Sequence, residues 1–190
     1  MKILFSGHDY KYEVEATVKL FVPSRFTFHY DITDAEGNIV MSRLKTGKEY
    51  TYLFAYCRID GKYARKAFHI PNSDADKSKC EHEICRLIYI CLQKLTGITP
   101  PWGLLTGIRP VKKMTQLMES GYDKNAAFTH LKDKYMVSDS RLELAYMTAE
   151  NQIPLLKNHD SKTISVYISI PFCPTRCSYC SFISHSMDSA

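Results

Sequence analysis

Three cysteines fall within eight residues near the C-terminal end of the sequence: Cys173-Pro-Thr-Arg-Cys177-Ser-Tyr-Cys180. Thiolates spaced x3 then x2 on a short loop can converge on one small inorganic centre. They can hold three irons of a 4Fe–4S cluster, which ordinarily takes four cysteines, and leave the fourth iron open to a substrate. The alternative donor set is a zinc knuckle made of the same three thiolates and His185, although this spacing is uncommon for zinc. The other four cysteines, Cys57, Cys80, Cys85 and Cys91, are scattered. Seven is an odd number, and Met1–Asp9 turns polar too soon for a signal peptide. A cytoplasmic location is therefore expected, where disulfides are rare.

Two further constellations bear on chemistry. Cys80-x-His82-x2-Cys85 has metal-ligand residue types, but on a helix His82 and Cys85 sit about 200° and 140° around the axis from Cys80. The expectation is small buried cysteines in a core stripe, and His82-Glu83 lacks a second histidine at zincin spacing. Pro101-Trp-Gly-Leu-Leu-Thr-Gly-Ile-Arg-Pro110 is a shaped loop, with two glycines between prolines. Its Arg109 has the chemistry to pair with a carboxylate or phosphate, but such a residue more commonly ties one structural layer to another. Trp102 is expected to pack against a helix.

These residues need elements to position them. Ile164, Val166, Ile168 and Ile170 alternate with Ser165, Tyr167 and Ser169, which predicts a strand running into the cysteine loop. Asn158-His159-Asp160-Ser161 reads as a domain joint. Helices are predicted over Ala75–Leu95, Val111–Glu119, Lys124–Tyr135 and Asp139–Pro154. The first carries the stripe Cys80, Ile84, Ile88, Cys91, Leu95 and stops at Thr96-Gly97; Ser138 is the N-cap candidate for the last. Further upstream, Met1–Phe5 reads as an opening strand and Tyr12–Phe21 as a helix. Phe26, Phe28, Tyr30 and Ile32 alternate as a half-buried strand. The turn residues Asp34–Asn38 follow, with Ile39–Leu44 as the return strand, and Tyr50–Ile59 is a third strand. Lys62–His69 is too basic to assign as a strand. The whole is an α+β chain, with a mixed antiparallel-sheet and helix domain over 1–100, a helical connector over 101–158, and 159–190 beginning a further domain.

The composition is that of an ordinary globular protein: 190 residues, 45% hydrophobic and 24% charged. No apolar run approaches the roughly 18–20 residues of a membrane span, so no membrane partner is expected. The net charge of +5 is uneven: residues 57–113 hold eleven Lys and Arg against five Asp and Glu. That excess could meet nucleic acid or a small polycarboxylate. No cluster reaches the density of a nucleic-acid arm, so a solvated surface is the expectation and a nucleic-acid partner is not.

Tyr167-Ile-Ser-Ile-Pro-Phe-Cys173-Pro-Thr-Arg-Cys177-Ser-Tyr-Cys180-Ser-Phe182 closely resembles the radical S-adenosylmethionine (SAM) signature. It is similar in particular to the oxygen-independent coproporphyrinogen III oxidase (dehydrogenase) group, and Pro101–Pro110 resembles a segment of its HemZ-type branch. The resemblance implies that Cys173, Cys177 and Cys180 hold a 4Fe–4S cluster whose open iron chelates SAM. Tyr179 would pack near the adenine and Tyr167 near SAM; no catalytic residue is assigned. One electron from the cluster would cleave SAM to methionine and a 5′-deoxyadenosyl radical. That radical would take hydrogen from a propionate of a porphyrinogen on the way to a vinyl group, in haem biosynthesis. An electron-donor protein is implied as a partner. The bacterial oxidases carry His where Ser169 stands and Cys where Phe182 stands, and the haem-chaperone branch carries Asp-Phe where this chain has Ser181-Phe182.

A radical-SAM barrel needs further βα units and a Gly-Gly-Glu-type strand end. The expectation is therefore that the sequence is the N-terminal part of a longer enzyme. It would hold the first strand and cysteine loop of a truncated α/β barrel, inactive on its own. Two other readings stand beside it. One is a haem-chaperone-like relative without oxidase activity. The other is a module that binds RNA or a protein, with a cysteine loop that only holds metal. The core-like alternation of Phe26, Phe28, Tyr30 and Ile32 weighs against the RNA module.

Overall fold

A computed structural model describes residues 1–22, 26–29, 36–106, 109–157, 164, 166–175 and 185–186. The chain divides into two compact units, Met1–Ile153 and Pro154–Ala190. The first is an α+β unit built on a five-stranded mixed sheet.

The strands of that sheet are β1 (Lys2–Ser6), β2 (Thr27–His29), β3 (Ile39–Thr46), β4 (Tyr50–Ile59) and β5 (Lys62–Pro71), in the order β2-β1-β3-β4-β5. β1 runs parallel to both its neighbours, while β3, β4 and β5 form an antiparallel meander. The predicted return of β3 against the Phe26 strand is therefore corrected, because β1 lies between them. The reason lies in β1 itself. Ile3, Leu4 and Phe5 are all buried, so consecutive residues on both faces are covered. A strand of that kind belongs inside a sheet rather than at its margin. Three-residue β2 takes the edge, and the remainder of the predicted strand, Tyr30 and Ile32, lies outside the described residues.

The segment judged too basic for a strand is also corrected: Lys62–Pro71 pairs along its whole length with β4. It is the opposite edge of the sheet, and only Ala64 and Ile70 of it are buried. An edge strand needs partners on one side only, and exposed Lys and Arg there discourage pairing with a second chain.

Helix α1 (Lys11–Lys19) and helix α2 (Lys77–Thr96) pack against each other, and α2 lies across β3, β4 and β5. α2 is delimited by local chemistry. The Asp76 carboxylate accepts from the Lys79 N–H at 2.8 Å, satisfying one of the otherwise unpaired first-turn amides. Gly97 closes the helix at φ 71°, its N–H donating to the Gln93 carbonyl. Between these caps Cys80, Ile84, Ile88, Cys91 and Leu92 are buried along the predicted stripe. They meet Val14 and Val18 of α1 and Val40, Leu53, Ala55 and Cys57 of the sheet in one core. Each fully buried aliphatic side chain there contributes about 1.5–3 kcal/mol.

A second core in the same unit joins α3 (Pro110–Glu119), α4 (Lys124–Tyr135) and α5 (Asp139–Lys157) through Met114, Leu131, Leu142 and Ala145. Trp102 packs against it, with the Arg141 guanidinium 5.6 Å over its ring. Gly103 has φ 56°, and any Cβ there would run into the carbonyls of Tyr135 and Met136. The Ser138 carbonyl accepts the first bonds of α5, from Arg141 and Leu142. Its hydroxyl, the predicted cap, lies 3.3 Å from the Ser140 hydroxyl.

In the second unit two short strands, β6 (Phe172–Cys173) and β7 (His185–Ser186), pair in parallel. Of the predicted strand over Ile164–Ile170, the described residues 164 and 166–170 join no ladder, and Ile164 and Ile168 are 84% and 87% exposed. A pattern of alternation becomes a strand only where a neighbour takes up its backbone hydrogen bonds. The described residues accordingly contain no start of a barrel. None of their helices is long and apolar enough to cross a membrane.

Candidate metal centre

Cys173 closes β6, and its thiol is free and half-buried. The register pairs Phe172 with His185 and Cys173 with Ser186. Cys177, Tyr179 and Cys180 lie outside the described residues. Tyr167 is described, on the stretch leading into β6, and is 79% exposed. Of the five residues singled out for cofactor and metal, the structure thus places Cys173 and Tyr167.

The other cysteines are in a different chemical situation. Cys57 of β4 and Cys91 of α2 face each other across the sheet–helix core, and the Cys57 thiol is hydrogen-bonded to Cys91. That bond and burial push Cys57 up, while the same bond, helped by Lys66 and Lys94, lowers Cys91. Burial pushes the Cys85 thiol up to about 12, with a hydrogen bond to Thr17 drawing it back only slightly. Burial also raises Cys80, beside the Asp76 carboxylate. Protonated thiols in an apolar core are poor metal ligands, since the thiolate is the binding form. His82, the third residue of that constellation, is turned to the Lys134 carbonyl at 3.0 Å, and burial lowers its pKa. Among the described residues no three His, Cys, Asp or Glu side chains converge as a metal site. Arg109 is exposed at the N-cap position of α3.

No family model matches the chain. One curated protein does: HemZ of Bacillus subtilis (strain 168), described as an oxygen-independent coproporphyrinogen-III oxidase-like protein, is 39% identical over 98 residues. The matched segment covers 50% of this chain and 20% of HemZ, so the chain spans about a fifth of that relative. Among solved structures, TolB from Acinetobacter baumannii shares 17% identity with a TM-score of 0.32, over 53% of this chain and 29% of its own. That likeness is too slight to bear on fold or function.

The sequence names Tyr50–Ile59 as a strand without separating its two faces. Thr51, Leu53, Ala55 and Cys57 of β4 are buried against the helices, so Tyr50, Tyr52, Phe54 and Tyr56 occupy the opposite face. The signal was present in the strict alternation of Tyr50–Cys57. Only the face the helices cover was missing from it.

Proposed function

We propose that this chain contributes the cluster- and SAM-binding segment of an oxygen-independent coproporphyrinogen oxidase-like enzyme of the radical-SAM class. The single observation that carries this reading is the Cys173-x3-Cys177-x2-Cys180 spacing in the sequence, and Cys173 at the end of β6 is a partly accessible thiol outside any disulfide. The donor set fits the group: three thiolates suit iron–sulfur ligation, and the 39% identity to HemZ supports the assignment. Cys173, Cys177 and Cys180 would hold the cluster, with Tyr167 and Tyr179 lying along SAM. When bound, such a cluster supplies an iron free of protein ligands, which chelates the amino and carboxylate groups of SAM, and the electron for its reductive cleavage. The chain's own part is to hold three thiolates, deprotonated, on one short loop and to offer tyrosine rings to an adenine. The substrate would be a porphyrinogen bearing propionates, in a cytoplasmic setting with a separate electron donor.

The test is anaerobic reconstitution of the 190-residue chain with iron and sulfide. Brown protein with about four irons, lost in each of Cys173→Ala, Cys177→Ala and Cys180→Ala, is the expected result. A change in the reduced cluster's electron paramagnetic resonance spectrum on adding SAM completes it. Colourless protein that takes up one zinc instead would overturn the proposal, as would a cluster indifferent to SAM.

A further inference from the structure

The five strands of the sheet carry seven Lys or Arg residues and no Asp or Glu. Helix α2 covers one face of β3, β4 and β5. On the opposite face the register sets cations beside aromatic rings: Lys45 is opposite Tyr52, and Arg65 is opposite Tyr56. Tyr52 and Tyr63 are 52% and 63% exposed. Tyr56 and Tyr63 stack with ring centroids 5.9 Å apart and planes 21° from parallel. Among the described residues no carboxylate forms an ion pair with Arg43, Lys45 or Arg65.

Charge of one sign without internal neutralisation calls for an anion, and flat exposed rings call for something flat. The shape separates the candidates. A depression of about 360 Å³ between Met41, Arg43, Lys45, Tyr52 and Phe54 is open to solvent. Small-molecule sites enclose most of their ligand, whereas three strands of eight to ten residues offer an extended surface about 30 Å long. That suits a linear polyanion. An acidic peptide would satisfy the cations and leave the rings without partners. A single-stranded polynucleotide satisfies both, because every base has a face to stack and every linkage a charge. The tyrosine hydroxyls add hydrogen-bonding groups that can address the ribose 2′-OH.

We infer that the open face of the β3–β5 meander binds single-stranded RNA, with Arg43, Lys45 and Arg65 along the phosphates and Tyr52, Tyr56 and Tyr63 beneath the bases. The site is independent of whatever the cysteine loop holds. It reverses the expectation that nucleic acid is no partner. That expectation rested on the low density of basic residues and on the core-like alternation of Phe26, Phe28, Tyr30 and Ile32; Phe26 and Phe28 do pack against the core, while the rings of β4 and β5 that matter here are on the opposite face.

The experiment is fluorescence anisotropy of a labelled mixed-sequence RNA of about 12 nucleotides titrated with the full chain. Saturable binding is expected, with log K falling against log salt at a slope of about −2, as three phosphate contacts require. Tyr52→Ala should weaken binding about fivefold or more, and Arg43→Glu with Lys45→Glu should remove it. Lys112→Glu with Lys113→Glu, on α3, should leave it unchanged. All these positions are at the surface, and circular dichroism confirms that each variant is folded. Absence of binding at low salt overturns the inference, as does affinity indifferent to both the Tyr52 and the Arg43/Lys45 changes. Equal affinity for DNA of the same sequence overturns the assignment to RNA. Equally effective competition by poly-glutamate shows an acidic protein surface to be the partner instead.

Discussion

Two isoleucines measure the difference between the units of this chain. Ile88 of α2 is fully buried among α1, the sheet and its own helix. Ile168 is 87% exposed, although it belongs to the cleanest apolar alternation in the sequence. Both satisfy a periodic pattern; only one has neighbours. The helix makes its hydrogen bonds within itself and needs a partner for one stripe alone. A strand needs a partner for its backbone as well as for its side chains. The first unit is thus organised around packing that its own residues complete. In the second, the described apolar residues before the cysteine loop remain at the surface.

The sharpest way to break this comparison is a matched pair of substitutions. Ile88→Ala removes a buried side chain from a closed core and should cost about 2–5 kcal/mol in a denaturant titration. Ile168→Ala should change the same transition by less than about 0.5 kcal/mol. Equal effects would show that the 164–170 stretch is packed in solution and that the contrast drawn between the two units is wrong.

That contrast also explains what was legible in the sequence. Helices α2, α3 and α4 could be placed from residues 75 to 135 because stripe and stop signals are local: the Cys80–Leu95 stripe and Gly97 mark α2 within one chain segment, while its cap at Asp76 emerges only in the structure. The sheet order was not legible. Placing β1 between β2 and β3 depends on pairings across more than twenty residues of sequence, which no window of alternation records. β5 was hidden because its basic side chains report its exposure, whereas its strand character comes from a backbone ladder with β4. The cysteine trio suggests thiolate ligation from residue type and spacing alone, and of the three only Cys173 is among the described residues. The described residues of the strand expected to carry it join no ladder, for the reason Ile168 shows. The open aromatic face of β4 was half legible: Tyr52 and Tyr56 share one side of the strand by periodicity, but only α2 decides which side is covered.

His8 sharpens the comparison from within the first unit, where burial acts on a titratable group. Its Nδ1 accepts from the Tyr10 N–H at 3.3 Å, so the neutral ring carries its proton on Nε2, which lies 3.0 Å from the Ser42 hydroxyl. The ring stacks on Tyr10 at 4.7 Å. Burial lowers its pKa to about 4, and the bond with Ser42 and the nearby Asp9 carboxylate offset only part of this. The unfolded chain therefore takes up this proton at higher pH than the folded one. Stability from His8 is present above about pH 6.5, declines as the pH falls towards 4, and is flat below that. The loss should be roughly 1–2 kcal/mol, the full linkage being reduced because solvent reaches part of the ring. Denaturant titrations at pH 7 and pH 4.5 on wild type and His8→Gln check it: the wild type should lose more. An identical loss in both would remove His8 as a contributor.

The smallest effect tests whether α2 is as locally specified as its sequence suggests. Asp76→Ala removes the acceptor for the Lys79 N–H and leaves a first-turn amide to water, at a cost of about 1 kcal/mol. Asp76→Asn keeps an oxygen in place and should recover most of that loss, because the cap works by accepting a hydrogen bond. Charge also contributes, through the favourable interaction of a carboxylate with the positive end of the helix. The residual gap between Asn and Asp should therefore shrink in high salt while the gap between Ala and Asn does not. If Asn is no better than Ala, the start of α2 is set by its packing on β4 and β5, and the legibility of its N-terminus was a coincidence of composition.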